Sequence, residues 1–273
     1  MDEQALLAEE MTLSLWRAPT DNDSTIRLEW DKAQYERAMP RAYETTCVQT
    51  DDAVYICTKM AVTAVSVQKI LDINAVWTVD RQGGLALKMD VTKNEEFPEL
   101  PRFGLRLMLP GEMNRVSYYG LGPMESYRDK CRAASHGLYE NTVAGMHEDY
   151  LKPQENGSHA DTSIVKIYSG AQPGAEPADA PAEADCAAGT GKNLSLTAAA
   201  ETPFSFNVSP YTEQELTKKK HSFELEPCGY TVLHLDYAQN GIGSNSCGPR
   251  PKEKYRFDER EFTFSIKLIP GAI

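Results

Sequence analysis

Alternation of apolar and polar residues with a period of two recurs five times along this chain and decides most of what it can fold into. In "FGLRLML", Phe103, Leu105, Leu107 and Leu109 fall on one side and Gly104, Arg106 and Met108 on the other. "FSFNVS" sets Phe204, Phe206 and Val208 against Ser205, Asn207 and Ser209, and "FTFSIKL" repeats the pattern with Phe262, Phe264, Ile266 and Leu268. "LALKMDV" and "TVLHLDY" do the same through Leu85, Leu87, Met89 and Val91 and through Leu233, Leu235 and Tyr237. Successive side chains of an extended chain point to opposite faces, so each run builds a strand with one face for a core. Such strands form antiparallel sheets whose other face meets water. "DRQGG" at 80–84, lying between two of these runs, reads as a hairpin connection.

Helical patterns are few. "STIRLEWDKAQYERAM" (24–39) spaces Ile26, Trp30 and Ala33 for one helix face, and "TEQELTKKK" (212–220) opens with Thr212 and Glu215 at capping-box spacing. Neither alternates with strands as a β/α barrel requires, and that barrel alone takes about 250 residues. The expected fold is all-β: a large antiparallel β-sandwich of two twisted sheets with one or two short helices. A single domain over 1–273 is expected, interrupted by the Ala/Pro/Gly-rich acidic segment 170–192. That segment lacks branched aliphatic and aromatic residues, so it cannot bury enough surface to offset its ordering. It reads as a mobile loop between the strands "SIVKIYS" and "LSLTAAA" rather than as a domain linker.

A net charge of −12 excludes nucleic acid as a partner, since no basic stripe faces phosphates. The run Lys218–Lys220 lies beside Glu213 and Glu215 and reads as a solvated helix end. No apolar run approaches the roughly 20 residues of a membrane helix. The acidic start, "MDEQALLAEE", lacks the grammar of a signal peptide, so no membrane association and a cytoplasmic location are expected. Six cysteines without a C-x-x-C pair read as reduced, mostly buried thiols.

The stretch "YYGLGPMESYRD" (118–129) resembles a phosphate cradle only superficially. A third glycine is missing, no apolar helix follows, and Pro123 removes an amide, so a turn is expected. Glu125, Asp129 and Glu155 lie in polar, turn-rich segments where a glycosidase carboxylate pair is conceivable. Arg128 and Lys130 beside them point instead to ion pairs. Five histidines show no metal-ligand spacing, and no metal site is expected. His159, in "PQENGSHAD" with Glu155 and Asn156, reads as a loop histidine, buried or turn-stabilising rather than catalytic. His234 takes the polar side of a strand. "NGIGSNSCGP" (240–249) has the composition of a tight turn or of a loop presenting small polar groups to a ligand. Cys247 there has no base in evidence.

Taken in order, "LWRAPTDND" (15–23), "YYGLGPMESYRDK", "YLKPQENGSHAD" (150–161), "FSFNVSPYTEQEL" (204–216) and "NGIGSNSCGP" resemble the C-terminal, small-chain domain of family 2 β-galactosidases. The resemblance spans nearly the whole chain. It implies a galactose-mutarotase-like supersandwich that serves as an accessory domain in the hydrolysis of terminal β-galactosides such as lactose. It further implies that the two catalytic glutamates, with magnesium and sodium ligands, belong to a barrel domain absent from this chain. The chain then carries no catalytic residue and no cofactor, is inactive alone, and partners the remaining domains of an oligomeric enzyme and its β-galactoside substrate. The resemblance places Asn245, Ser246 and Cys247 in a loop at the substrate pocket. Many relatives offer a tryptophan to the aglycone sugar at the position of Cys247, and a thiol has no such flat apolar face. Glu125, Tyr127, Asp129, Glu155, Asn156 and His159 are expected to line the pocket or anchor its loops. Two other readings are an aldose 1-epimerase, recruiting His159, His234, Glu125 and Glu155 as acid and base, and a carbohydrate-binding module using Tyr118, Tyr119, Tyr127 and Tyr139.

Overall fold

Antiparallel pairing joins all the strands in the computed structural model, which describes residues 5–170, 194–244 and 248–272. The strands are β1 (Thr12–Ser14), β2 (Met39–Gln49), β3 (Ala53–Thr63), β4 (Leu71–Asp80), β5 (Leu85–Lys93), β6 (Arg102–Pro110), β7 (Arg115–Gly122), β8 (Ser135–Thr142), β9 (Ser158–Tyr168), β10 (Leu194–Ser209), β11 (Tyr230–Gln239) and β12 (Glu261–Ala272). Their order is β1-β6-β11-β10-β12-β5-β4-β3-β2, with β9, β7 and β8 joined through β10. The branch arises because β10 runs for 16 residues. Its first half lies between β12 and β9 and its second between β11 and β9. The expected all-β antiparallel sandwich is therefore present, with its layers joined in one hydrogen-bonded network rather than as two separate sheets.

The alternating runs supply the core as their period requires. Phe103, Leu105, Leu107 and Leu109 of β6 join Leu233 and Leu235 of β11, Phe204, Phe206 and Val208 of β10, and Phe262, Phe264, Ile266 and Leu268 of β12 in one buried cluster. Each fully buried side chain of this kind contributes about 1.5–3 kcal/mol. Phe103 and Phe262 meet edge to face with centroids 5.0 Å apart. The hairpin at 80–84 is present: Asp80 Oδ1 accepts from the amides of Gln82 and Gly84, and Gly83 takes φ +83°.

Both helices exist, one shorter than its pattern. The helix α1 (Ile26–Ala33) buries Ile26, Trp30 and Ala33, and Trp30 Nε1 donates to Glu99 O. It stops where Gln34 turns left-handed at φ 56°, so residues 34–39 form a short 3-10 turn and the start of β2 instead of more helix. The helix α2 (Glu213–Lys218) is capped as expected, with Thr212 Oγ1 accepting from Glu215 N at 3.2 Å. Two further expectations are corrected. None of the four described cysteines is buried: Cys47 sits on β2, exposed along its whole length, and Cys57, Cys131 and Cys228 are half-exposed, all with free thiols. His159 is not in a loop but is the second residue of β9, opposite Phe206, and it stacks on that ring. Strands β9 and β10 are neighbours, Tyr168 facing Ser195. The 170–192 segment thus joins adjacent strands, though nearly all of it falls outside the described residues.

The wetted second face is the largest departure. Along β6, β11 and the second half of β10 both faces are buried. Their polar faces align across the sheet: Arg106 faces His234, His234 faces Asn207, and Asn207 faces Ser158. One row over, Ser14 faces Gly104 and Gly104 faces Asp236. Gly104 is required there, because a Cβ would lie 2.2 Å from Leu235 O and 2.7 Å from Asp236 Cα. Both contacts are to backbone, which cannot step aside. Replacing Gly104 by Ala is expected to cost about 3 kcal/mol of folding stability, read by urea denaturation; a change below about 0.5 kcal/mol would contradict the close approach.

Candidate functional site

The polar sheet face is covered by the segments 15–24, 123–130, 147–157, 211–217 and 240–244, and its chemistry is built between them. In the first, Arg17 and Asp23 form a fully buried ion pair at 2.9 Å. Asp23 also accepts from Thr20 N, Thr20 Oγ1 and Ser244 Oγ. Arg17 Nη1 donates to Asn240 O at 3.0 Å, tying the 15–24 segment to the end of β11. Glu155 N donates to Ala18 O, which brings the 147–157 segment alongside.

Beneath these loops the Arg102 guanidinium lies between two carboxylates. Its Nη2 lies 3.1 Å from Asp236 Oδ2 and 3.2 Å from Glu155 Oε1, all three groups being buried. Gln239 Nε2 donates to Asp236 Oδ2 and to Ser158 Oγ, both at 3.2 Å. Asn207 Nδ2 donates to Glu155 Oε1 and to Asn156 O, and Asn156 Oδ1 accepts from Glu148 N. Burial works against Arg102's charge, but Asp236 and Glu155 more than restore it. One cation cannot neutralise two acids in a dry site. Burial therefore raises Glu155, and it pushes Asp236 up to about 7 despite the guanidinium.

A second buried pair lies on the same face. Glu213, from the first turn of α2, sits 3.4 Å from His234 Nε2 and 3.3 Å from Arg106 Nε, while Ser14 Oγ is 3.1 Å from His234 Nδ1. Burial opposes the Glu213 charge, yet His234 and Arg106 hold it down to about 2. Burial, with Arg102 nearby, lowers His234 to about 4.

The corner at 123–130 is a fastening. Ser126 N donates to Ser158 O, Ser126 Oγ accepts from Ala160 N, and the buried Tyr127 hydroxyl accepts from Ser158 N at 3.4 Å. Glu125 accepts from Lys130 Nζ, from the Tyr150 hydroxyl and from Gly157 N. Asp129 accepts from Ile242 N at 3.0 Å and Gly243 N at 2.8 Å. Of the expected ion pairs, that of Lys130 with Glu125 is present, whereas Arg128 pairs with neither acid. Arg128 turns away, reaching Glu259 at 3.0 Å and lying over the Phe257 ring, because the tight turn sends consecutive side chains in different directions.

Of the residues singled out from sequence, Glu125, Tyr127, Asp129, Glu155, Asn156 and His159 come together around this loop-covered face. His159 Nδ1 is 3.0 Å from both the Tyr118 hydroxyl and Leu121 O, and burial lowers its pKa. Asn245, Ser246 and Cys247 lie outside the described residues. Tyr118 and Tyr127 are buried, so of the tyrosines considered for a sugar platform only Tyr119 is well exposed. Arg17, Asp23, Arg102, Asn207, Asp236 and Gln239 were not picked out from sequence; a charged residue inside an apolar strand was the available signal. Acids and histidines are plentiful, yet Glu155, His159, His234 and Asp236 are each 5% exposed or less. Among the described residues no group of three or more His, Cys, Asp or Glu could hold a metal ion.

The arrangement can be set beside known proteins. A family model described as β-galactosidase small chain matches residues 1–268. A β-galactosidase of Actinobacillus pleuropneumoniae is 40% identical over 266 residues, covering 97% of this chain and 24% of its own length. One of Staphylococcus xylosus is 35% identical over 266 residues, with the same shares. The chain thus spans about a quarter of the length of these curated relatives. Among solved structures, an aldose epimerase homologue from C. elegans aligns over 85% of this chain and 69% of its own, at 8% identity and a TM-score of 0.37, too low for any argument.

Two outcomes follow from the network. Asp236 is an acid whose folded pKa lies above its ordinary 3.8, so its contribution to stability is lost as pH rises from about 4 to about 7. The melting temperature of Asp236→Asn minus that of the parent should therefore climb across that window and flatten above it; a flat difference would contradict the shared guanidinium. Replacing Arg102 by Met strands two buried acids and should cost about 3–5 kcal/mol in chemical denaturation, whereas a loss under about 1 kcal/mol would show the pair is dispensable.

Proposed function

The chain belongs to the β-galactosidase small-chain family, and from that premise we propose that it is the C-terminal accessory domain of a cytoplasmic, oligomeric β-galactosidase acting on terminal β-galactosides such as lactose. It carries no catalytic residue. The acid, the nucleophile and the magnesium and sodium ligands belong to the remaining domains, which are its partners. Its own part is to hold the loops that complete the substrate pocket. Asn245, Ser246 and Cys247 border the aglycone, with Glu125, Tyr127, Asp129, Glu155, Asn156 and His159 anchoring the surrounding loops.

The observation that carries this reading is the sealing of the polar sheet face. Retaining glycosidases need two carboxyl groups about 5–5.5 Å apart on either side of an accessible glycosidic bond. Here the buried acids are spent on Arg17, Arg102, Arg106, His234 and backbone amides, and loops close over them. Such a network gives rigidity to loops, which is what a pocket assembled from two domains requires.

The purified chain should release no nitrophenol from a nitrophenyl β-galactoside, and activity should return when the remaining domains are supplied. Robust turnover by the chain alone would overturn the reading. In the complete enzyme, Glu125→Gln sets an amide against three donors and should lower stability by about 2 kcal/mol while turnover per folded molecule holds. Unchanged melting with abolished turnover would instead make Glu125 a reacting group.

A further inference from the structure

At its β2 end the sheet outruns its own core. Pairing register sets Ile266, Leu87, Trp77, Ile56 and Cys47 in one line from β12 to β2, and residues directly opposite one another share a face. Ile266 and Leu87 are each 3% exposed, Trp77 and Ile56 are half-buried, and Cys47 is exposed. The next line, Phe264, Met89, Ala75, Thr58 and Thr45, grades the same way, from buried on β12 to exposed on β2. Every residue of β2 is exposed. The face that forms the core under β12 and β5 thus continues, uncovered, across β3 and β2.

Charge distinguishes the two sides of this overhang. From the end of β4 to β2 the continuing face carries no charged side chain: Trp77 and Val79 lead to Ile56 and Val54, and these to Cys47 and Gln49. The opposite face of the same strands holds Asp72, Lys59 and Glu44, the last two paired at 2.9 Å. A face dressed in ion pairs is the solvated one. An exposed face without charges, centred on a tryptophan, has the composition of a contact. About three quarters of the length of the curated relatives lies outside this chain, so further domains exist to make that contact. A second copy joining along the edge fits less well. Pro40 offers no amide, and the ladder with β3 slips between Ala42 and Glu44, two features that blunt an edge against another strand.

We infer that the uncharged face of β2, β3 and the end of β4 is the seat of another domain of the same enzyme, which lays apolar side chains over Trp77, Ile56 and Cys47 and completes the core that this chain leaves open. The inference rests on reading the chain as one domain of a larger enzyme. Trp77, already packed in part against the core, is the anchor: large aromatic rings at the centre of a patch carry most of the energy of such contacts.

Native thiols test this without any substitution. Cys47 lies on the uncharged face, and Cys57, opposite Thr46, on the charged one. Labelling by a maleimide, followed peptide by peptide in a mass spectrometer, is compared between the chain alone and the complete enzyme. Cys47 should react at least about 10-fold more slowly in the complete enzyme, with Cys57 within about 2-fold of its rate in the chain alone. A Cys47 equally reactive in both forms would overturn the inference. So would equal protection of both thiols, which would mean that the partner does not select the uncharged face. A chain that dimerises by itself, with Cys47 protected in the dimer, would assign the face to a second copy and overturn it too. Protection of Cys47 alone, in an enzyme that turns over no nitrophenyl β-galactoside, would sustain the contact and overturn the β-galactosidase reading instead.

Discussion

The guanidinium of Arg102 joins two segments of the covered face of this sheet. It reaches Asp236 on β11 and Glu155 in the 147–157 segment at once, and through them Gln239, Ser158 and Asn207. Without it two acids would sit uncompensated in a dry interior, at a cost of several kcal/mol each. With it, one negative charge too many remains, and Asp236 answers by retaining its proton up to about pH 7. The loops can close over the sheet only because this charge problem is solved beneath them.

Closure in turn explains the division between the two faces. The apolar face is an ordinary core of Phe, Leu, Ile and Val. The polar face is a second interior, held by directional bonds between segments far apart in the chain: 223 residues separate Arg17 from Asn240, and 134 separate Arg102 from Asp236. Interiors of the first kind give stability, and satisfied polar networks give a unique arrangement. The segments 15–24, 123–130, 147–157 and 240–244 meet here and build this interior.

The strands could be read from the chain because a period of two is a local signal, and Phe103 to Leu109 or Phe262 to Leu268 need no partner to reveal it. The Thr212–Glu215 cap was equally local. What covers the opposite face was not legible, since Arg106, Asn207, His234 and Asp236 alternate alike whether water or loops lie above them. Proximity in sequence served for Lys130, which pairs with Glu125, but not for Arg128, which the corner directs toward Glu259. The helix pattern through residue 39 ran on past Gln34, whose left-handed backbone nothing in the spacing of Ile26, Trp30 and Ala33 announces. Glu125, Tyr127, Asp129, Glu155 and Asn156 were found as residues in turn-rich segments; their partners, supplied by distant strands, were not.

The account's central claim is that the polar face is a sealed scaffold and that substrate binds elsewhere. A crystal structure of the complete enzyme with galactose bound tests it most directly. The sugar should lie outside this face, with Arg102 still between Asp236 and Glu155 and His234 still against Glu213. A sugar hydroxyl found on Asp236, Glu155 or His234, with the covering loops displaced, would contradict it.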